Sequence, residues 1–205
     1  NGGVTNYKAI NENESRLASY FARFQYKLMD RYLFTGTIRR DGSSNFGKDY
    51  RWGTFPAFGL GWVVTKEDFM ANVKGIDVLK LRGGWGKTGN ASGIPFYSSY
   101  NLERLNQDGG SWSTYQWGTD TGWEVTTDTN FGVDLGLLNN RIKFSADFYK
   151  RITDDLIMPI EMGSTIGNIL RNVGSMENKG MEFTLNTLNV KNENFSWNTN
   201  FNISF

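Results

Sequence analysis

The sequence predicts an all-β fold: a portion of an antiparallel transmembrane β-barrel, about eight meandering strands from a larger closed wall. Three observations predict it. Apolar and polar residues alternate with period two over runs of about 9–13 residues, near the ~9–11 that a tilted strand needs to cross a bilayer and longer than the ~5–6 usual in soluble sheets. The connections between runs alternate between short and long, as they do in transmembrane barrels. Composition favours long twisted strands, since 15% of the 205 residues are aromatic, 24 are glycine and only 3 are proline.

Residues 1–14 form a polar lead-in and 15–205 a series of hairpins. The first run puts Ala18, Tyr20, Ala22, Phe24 and Tyr26 on one face and Ser19, Arg23 and Gln25 on the other, with Phe21 the exception. After a short turn at 27–30, Tyr32, Phe34, Gly36 and Ile38 alternate with Leu33, Thr35, Thr37 and Arg39. A long connection over 41–51 leads to Phe58, Leu60, Trp62 and Val64. An intermediate connection over 65–77, with a helical turn around 68–73, precedes Leu79, Leu81, Gly83 and Trp85. A second long connection, 89–122, is rich in Gly, Ser, Asn and aromatics. Phe131, Val133, Leu135 and Leu137 follow, then a short turn at 138–141, then Ile142, Phe144, Ala146 and Phe148. The third long connection, 153–177, leads to Met181, Phe183 and Leu185. Beyond a short turn at 190–194, Trp197, Thr199, Phe201, Ile203 and Phe205 alternate with nothing but Ser and Asn. Lys80, Arg82, Asp134, Lys143, Asp147 and Glu182 all fall on the polar parity and are expected to line a lumen. Tyr32, Trp62, Trp85, Tyr149 and Trp197 lie near strand ends, where amphipathic rings suit the lipid–water boundary.

The formal charge of +1 gives no basis for a phosphate-binding, nucleic-acid surface. With no cysteine, disulfides and thiolate metal sites are excluded; with no histidine, the commonest general base and most zinc sites go too. No cofactor is implied. No window holds the ~20 apolar residues of a membrane helix, and the negative mean hydropathy is compatible with a barrel, where only alternate residues meet lipid. The polar start, Asn1 to Asn6, reads as an internal cut with no export signal, and the last apolar run stops in mid-pattern at Phe205. Unpaired backbone groups in lipid cost several kcal/mol each, so a membrane sheet must close on itself. The remaining strands are therefore expected from sequence beyond these residues.

Three stretches carry a more specific signal. One is LASYFAR at 17–23 with DGSSNFGKDYRWGTFPAFGLGW at 41–62. The second is LKLRGGWGKTGN at 79–90, and the third NVGSMENKGMEFTL at 172–185, preceded by WEVTTDTNFGVDLGLLNNRIKFSADFYKRITDDLI at 123–157. In this order and spacing, from about residue 17 onward, they resemble the SusC/RagA family of TonB-linked outer-membrane proteins. Val63 departs from the family's frequent polar or basic residue. The resemblance marks Asp41, Gly42, Ser43, Ser44, Phe46, Gly47, Arg51, Trp52, Gly53, Asn178, Lys179 and Gly180 as structural motif positions. It also implies a far longer protein with a barrel of about 22 strands around a plug. Such proteins sit in the outer membrane of Bacteroidota-like Gram-negative cells. They draw energy from TonB–ExbB–ExbD through an N-terminal TonB box and work with a SusD-like surface lipoprotein to import oligosaccharides or peptides. Neither plug nor TonB box lies in this stretch.

In the second long connection Tyr97, Trp112, Tyr115 and Trp117 sit among amides and carboxylates, a pattern suited to stacking on sugar rings; packing against neighbouring loops or a lid is the alternative. Residues 41–53 mix Arg39, Arg40, Asp41, Lys48, Asp49 and Arg51 with glycines and serines, but lack the Gly-Lys-Ser/Thr core of a phosphate loop. Arg–Asp pairing inside a structured loop is expected instead. Asp154 with Asp155, or Glu161 with Glu177, could be imagined as a glycosidase pair, yet nothing in the spacing fixes their separation. The acidic loops lack EF-hand spacing for calcium. A nutrient importer component is therefore the leading reading. Its rivals are a TonB-dependent siderophore or cobalamin receptor and a soluble all-β carbohydrate-binding or adhesin domain.

Overall fold

The computed structural model describes residues 14–94, 102–105, 112–115, 120–161 and 168–205. Eight long strands form one antiparallel sheet: β1 (Leu17–Leu28), β2 (Tyr32–Ser43), β3 (Trp52–Val63), β4 (Ile76–Asn90), β7 (Glu124–Leu137), β8 (Ile142–Asp154), β11 (Ser175–Lys191) and β12 (Ser196–Ser204). Their order, β1-β2-β3-β4-β7-β8-β11-β12, is a meander, and among the described residues two of its long connections carry a small hairpin each. These are β5 (Leu102–Leu105) with β6 (Trp112–Tyr115), and β9 (Ile157–Glu161) with β10 (Asn168–Asn172). The expected meander of about eight strands is thus observed. The long connections differ from expectation: β2, β8 and β11 reach into them, and two carry hairpins of their own.

Register decides which residues share a face. Residues directly opposite in an antiparallel pair point to the same side. Across β1 to β4, Phe24 pairs with Gly36, Gly36 with Phe58, and Phe58 with Trp85. The chain of partners continues through Thr129 to Lys150 and Lys179, while one step toward the short turns it runs Gly83, Phe131, Phe148 and Met181. Leu135, Phe144, Leu185 and Phe201 make another such row. Every apolar parity therefore lands on one continuous face. Phe34, Leu60, Phe131 and Phe201 on that face are all exposed, and no second layer covers them among the described residues. The accessible surface, 15107 Å², is well above the about 9,700 Å² expected for a closed globular chain of this mass.

All the tight turns lie at one end of the sheet. The β1–β2 turn is closed by Arg31 N–H donating to the Leu28 carbonyl at 3.0 Å, with Met29 and Asp30 in the left-handed region. Asn139 and Asn140, residue types that tolerate that region, help make the β7–β8 turn. The β3–β4 connection belongs to this end too, and its expected helical turn is present as two short 3-10 segments, Val64–Lys66 and Asp68–Met70.

Candidate functional site

The opposite face of the sheet is polar. Arg82 on β4 donates from Nε and Nη2 to the two oxygens of Asp134 on β7, both at 2.9 Å. Its Nη2 also meets Asp147 on β8 at 3.0 Å, and Ser145 donates to Asp134 at 3.0 Å. Arg82 and Asp147 are both register partners of Gly132, so the bridge spans the intervening strand. It can do so because Gly132 has no side chain: a Cβ there would stand 2.4 Å from Asp147 Oδ1 and 2.9 Å from Arg82 Cζ. Further along, Arg151 binds Asp128 at 2.7 Å. The six charged residues assigned to the polar parity all carry that face in the register.

Toward the long connections this face opens into a recess of about 560 Å³ whose lining includes Arg23, Arg39, Asp41, Phe55, Lys87 and Thr88. Beside it, the loop that follows β2 folds against β3 and the approach to β7. Phe46 is 1% exposed and its ring lies 5.1 Å from that of Trp123; Phe55 meets Trp123 edge-on at 5.5 Å. Trp123 Nε1 donates to the Arg51 carbonyl at 3.2 Å, and Ser43 N–H to the same carbonyl at 3.1 Å. Ser44 and Arg16 exchange two hydrogen bonds, and Asn45 donates to the Ile94 carbonyl at 3.0 Å. Arg39 grips Asp41 at 2.6 Å, the Arg–Asp pairing expected of this loop. A small apolar plug of Phe46, Phe55 and Trp123 thus holds residues far apart in sequence at the mouth of the recess.

Asp41, Gly42, Ser43, Phe46 and Gly47 are buried; Ser44, Arg51 and Gly53 are half-buried and Trp52 is exposed. Trp52 covers Gly42, its register partner, and Arg40 lies over the Trp52 ring at 5.3 Å. Asn178, Lys179 and Gly180 sit on β11 opposite Arg151, Lys150 and Tyr149. A Cβ at Gly180 would approach Tyr149 Oη to 2.7 Å, so the tyrosine ring lies across the glycine. That places Tyr149 on the polar parity, which corrects its assignment to a lipid-boundary girdle; Tyr32, Trp62 and Trp197 remain on the apolar face at the short-turn end. Trp112 and Tyr115 fall in the small strand β6, and Tyr97 and Trp117 lie outside the described residues. Glu177, one of the imagined acid pair, is engaged by Lys150 at 3.1 Å and Lys179 at 3.3 Å.

Sequence reading missed two clusters. Asn172 donates to the Gly122 and Asp155 carbonyls at 3.1 and 2.7 Å and accepts from Gly122 N–H at 2.6 Å, clasping two long connections together. At the short-turn rim, the Glu67 carboxylate accepts from Trp62 Nε1 at 2.9 Å, Tyr32 Oη at 2.7 Å and Arg31 Nη1 at 2.9 Å. The hydrogen bonds from Trp62 and Tyr32, with Arg31 beside them, hold its pKa below the usual carboxylate range. No local period marks either cluster; only a Glu a few residues after a Trp hinted at the second.

Comparison with known proteins agrees with this architecture. The family described as "TonB dependent receptor-like, beta-barrel" matches residues 1–205. A TonB-dependent receptor of Formosa agariphila is 41% identical over 194 residues, covering 92% of this chain and 19% of that protein. The TonB-dependent receptor SusC of Bacteroides thetaiotaomicron is 40% identical over 205 residues, again covering 92% of this chain and 20% of the relative. The chain therefore spans about a fifth of the length of the curated relatives it matches. Among solved structures, the RagAB peptide transporter superposes with a TM-score of 0.81 at 28% identity over 93% of this chain and 22% of that one. The siderophore receptor PirA of Acinetobacter baumannii, at 18% identity and a TM-score of 0.63, shares the fold. An eight-stranded wall with one apolar and one charged face, matched along its whole length, belongs to the β-barrel of the TonB-dependent receptor family.

Proposed function

We propose that this chain is a portion of an outer-membrane, TonB-dependent importer for oligosaccharide or peptide nutrients that works with a SusD-like surface lipoprotein. The observation that carries the reading is the pairing of faces. One side of all eight strands is apolar and exposed or half-exposed, as hydrocarbon requires, while the other holds a charged network and a recess at the long-loop end. Such a wall binds and passes cargo without covalent chemistry. An identity of about 40% to SusC and the likeness to the RagAB peptide transporter support cargo of the oligosaccharide or peptide class. The proton gradient would reach the barrel through TonB–ExbB–ExbD and a plug outside this stretch.

In this reading residues 41–53 and 178–180 brace the wall, and Tyr97, Trp112, Tyr115 and Trp117 contact cargo from the second long connection. The test is uptake of labelled oligosaccharides and oligopeptides by cells carrying the whole protein. Deleting the gene should abolish uptake of at least one class, and Trp112→Ala with Trp117→Ala should reduce it at least tenfold while surface expression is unchanged. Uptake indifferent to the gene, or a protein found in the soluble fraction, would overturn the proposal.

A further inference from the structure

The short-turn end of the sheet carries an exposed apolar surface of its own. In the β3–β4 connection Phe69 is 66% exposed and Val73 43%. In the neighbouring β7–β8 turn Leu138 is 58% exposed with φ at 54°, the left-handed region that a bulky side chain adopts only at a cost. Leu138 N–H donates to the Gly75 carbonyl at 3.3 Å and Asn140 N–H to Asp77 Oδ2 at 2.8 Å, so the two connections form one rim. Each is flanked by paired strands on both sides, β2 and β7 for the first, β4 and β11 for the second, and every residue of both is described.

The Glu67 clasp fixes where this rim stands. Tyr32 and Trp62 are register partners on the apolar face, stacked at 6.5 Å, and their Oη and Nε1 are the polar tips that girdle aromatics turn toward the headgroups. Both tips instead donate to Glu67, at 2.7 and 2.9 Å, while Arg31 holds Glu67 and Asp68 at 2.9 and 3.0 Å. The start of the connection is thereby bound to the lipid-facing side of the wall at the boundary plane. Phe69 follows Glu67 by two residues, at most about 7 Å of chain. The headgroup layer is about 5–8 Å deep, so the ring stands within it. Lys66 and Lys74, both exposed, flank the apolar residues on stems long enough to keep their ammonium groups among phosphates. Short turns face the periplasm in such barrels.

We propose that the β3–β4 connection and the β7–β8 turn form a foot that rests in the periplasmic leaflet of the outer membrane, with Phe69 and Leu138 entering the headgroup end of the acyl chains and Lys66 and Lys74 meeting headgroup phosphates. The foot rests on the outer-membrane reading of the chain, but not on the cargo. An aromatic ring and a strained leucine held open to water gain nothing from the fold. The lipid boundary puts an apolar layer within their reach, continuous with the face that the strands already present.

The test uses the whole protein inserted in phosphatidylcholine vesicles, with any other cysteine replaced by serine and a nitrobenzoxadiazole fluorophore attached at one position at a time. Quenching by lipid carrying a nitroxide near the headgroup end of its acyl chain is compared with quenching by iodide supplied on both sides of the membrane. Labels at Phe69→Cys and Leu138→Cys should be quenched by the lipid at least threefold more than by iodide. A label at Lys143→Cys, on the polar face near the same end, should show no lipid quenching. Adding Glu67→Ala should release the connection and at least halve lipid quenching at Phe69→Cys. Preferential quenching by iodide, shielding from both quenchers as a plug or a periplasmic protein would give, or a Phe69 signal indifferent to Glu67 would overturn the foot. A label at Leu60→Cys, on the apolar face of β3, monitors insertion: without lipid quenching there, the membrane reading beneath the foot fails instead.

Discussion

At the scale of single residues, space and charge are set by side chains that are absent as much as by those present. Gly132 and Gly83 are both strand glycines, yet they differ completely. A Cβ at Gly132 would strike Asp147 and Arg82, while one at Gly83 would meet nothing within 4 Å. Gly132→Val is therefore expected to break the three-residue ion network and cost about 1–3 kcal/mol, whereas Gly83→Ala should be neutral or slightly stabilising. Urea unfolding of the detergent-refolded barrel would measure both, and equal effects would refute the assigned faces. Glu67 makes a second residue-scale prediction. Its pKa is lowered in the fold, so its contribution is complete above the ordinary carboxylate range and is lost as pH falls through the depressed value. Wild type should thus lose stability below about pH 4 more steeply than Glu67→Gln, whose pH dependence there should flatten. Parallel acid profiles would count against the three-donor clasp.

At the scale of elements, the unit is a strand with one face in lipid. β11 and β12 place Phe183 opposite Ile203 and Leu185 opposite Phe201 on the apolar side. Phe201→Arg is expected to cost ~2–4 kcal/mol if its side chain meets mid-bilayer hydrocarbon, and Asn200→Arg, on the opposite parity, much less. Folding titrations in liposomes would check this, and a reversed order would invert the facing of the whole sheet. The loop after β2 behaves as an element of its own. Trp123 touches both Phe46 and Phe55 and donates to Arg51, so Trp123→Ala should loosen the loop after β2 from β3 and from the connection before β7, at about 2–3 kcal/mol for a half-buried indole. Limited proteolysis should then cut within 44–51 far faster than in wild type, and unchanged cleavage would show that the aromatic cluster does not hold the loop.

At the scale of the whole molecule, the sheet is open at β1 and β12, and its apolar face is bare. In lipid an open edge leaves backbone groups without partners, so this wall is stable only within a closed barrel. Expressed by itself, residues 1–205 should aggregate without detergent and fail to give a cooperative unfolding transition, whereas the whole protein in detergent should resist unfolding. A monomeric, cooperatively folding fragment in plain buffer would contradict the membrane assignment. The meander, the number of long strands, the segregation of turn lengths and the parity of Arg82, Asp134 and Asp147 were all legible beforehand. Tyr149 was misread as a boundary aromatic, because nearness to a strand end says nothing about which face a ring occupies.

The division between what was legible and what was not follows from the range of the interactions. Alternation is a local property: successive side chains on a strand point to opposite sides, so hydrophobic period and turn composition alone determined the all-β class, the number of long strands and the two-faced wall, but not the two small hairpins. The contacts that shape the mouth of the recess join residues distant in sequence, such as Trp123 with Arg51 and Asn172 with Gly122, and leave no periodic trace. Whether Lys150 would meet Lys179, or Arg82 reach Asp147 across an empty glycine, depended on register, and one residue of slip would have sent every side chain to the other face. Only the assembled sheet fixed that register, because it is set by the sum of many cross-strand pairs and by no single stretch of chain.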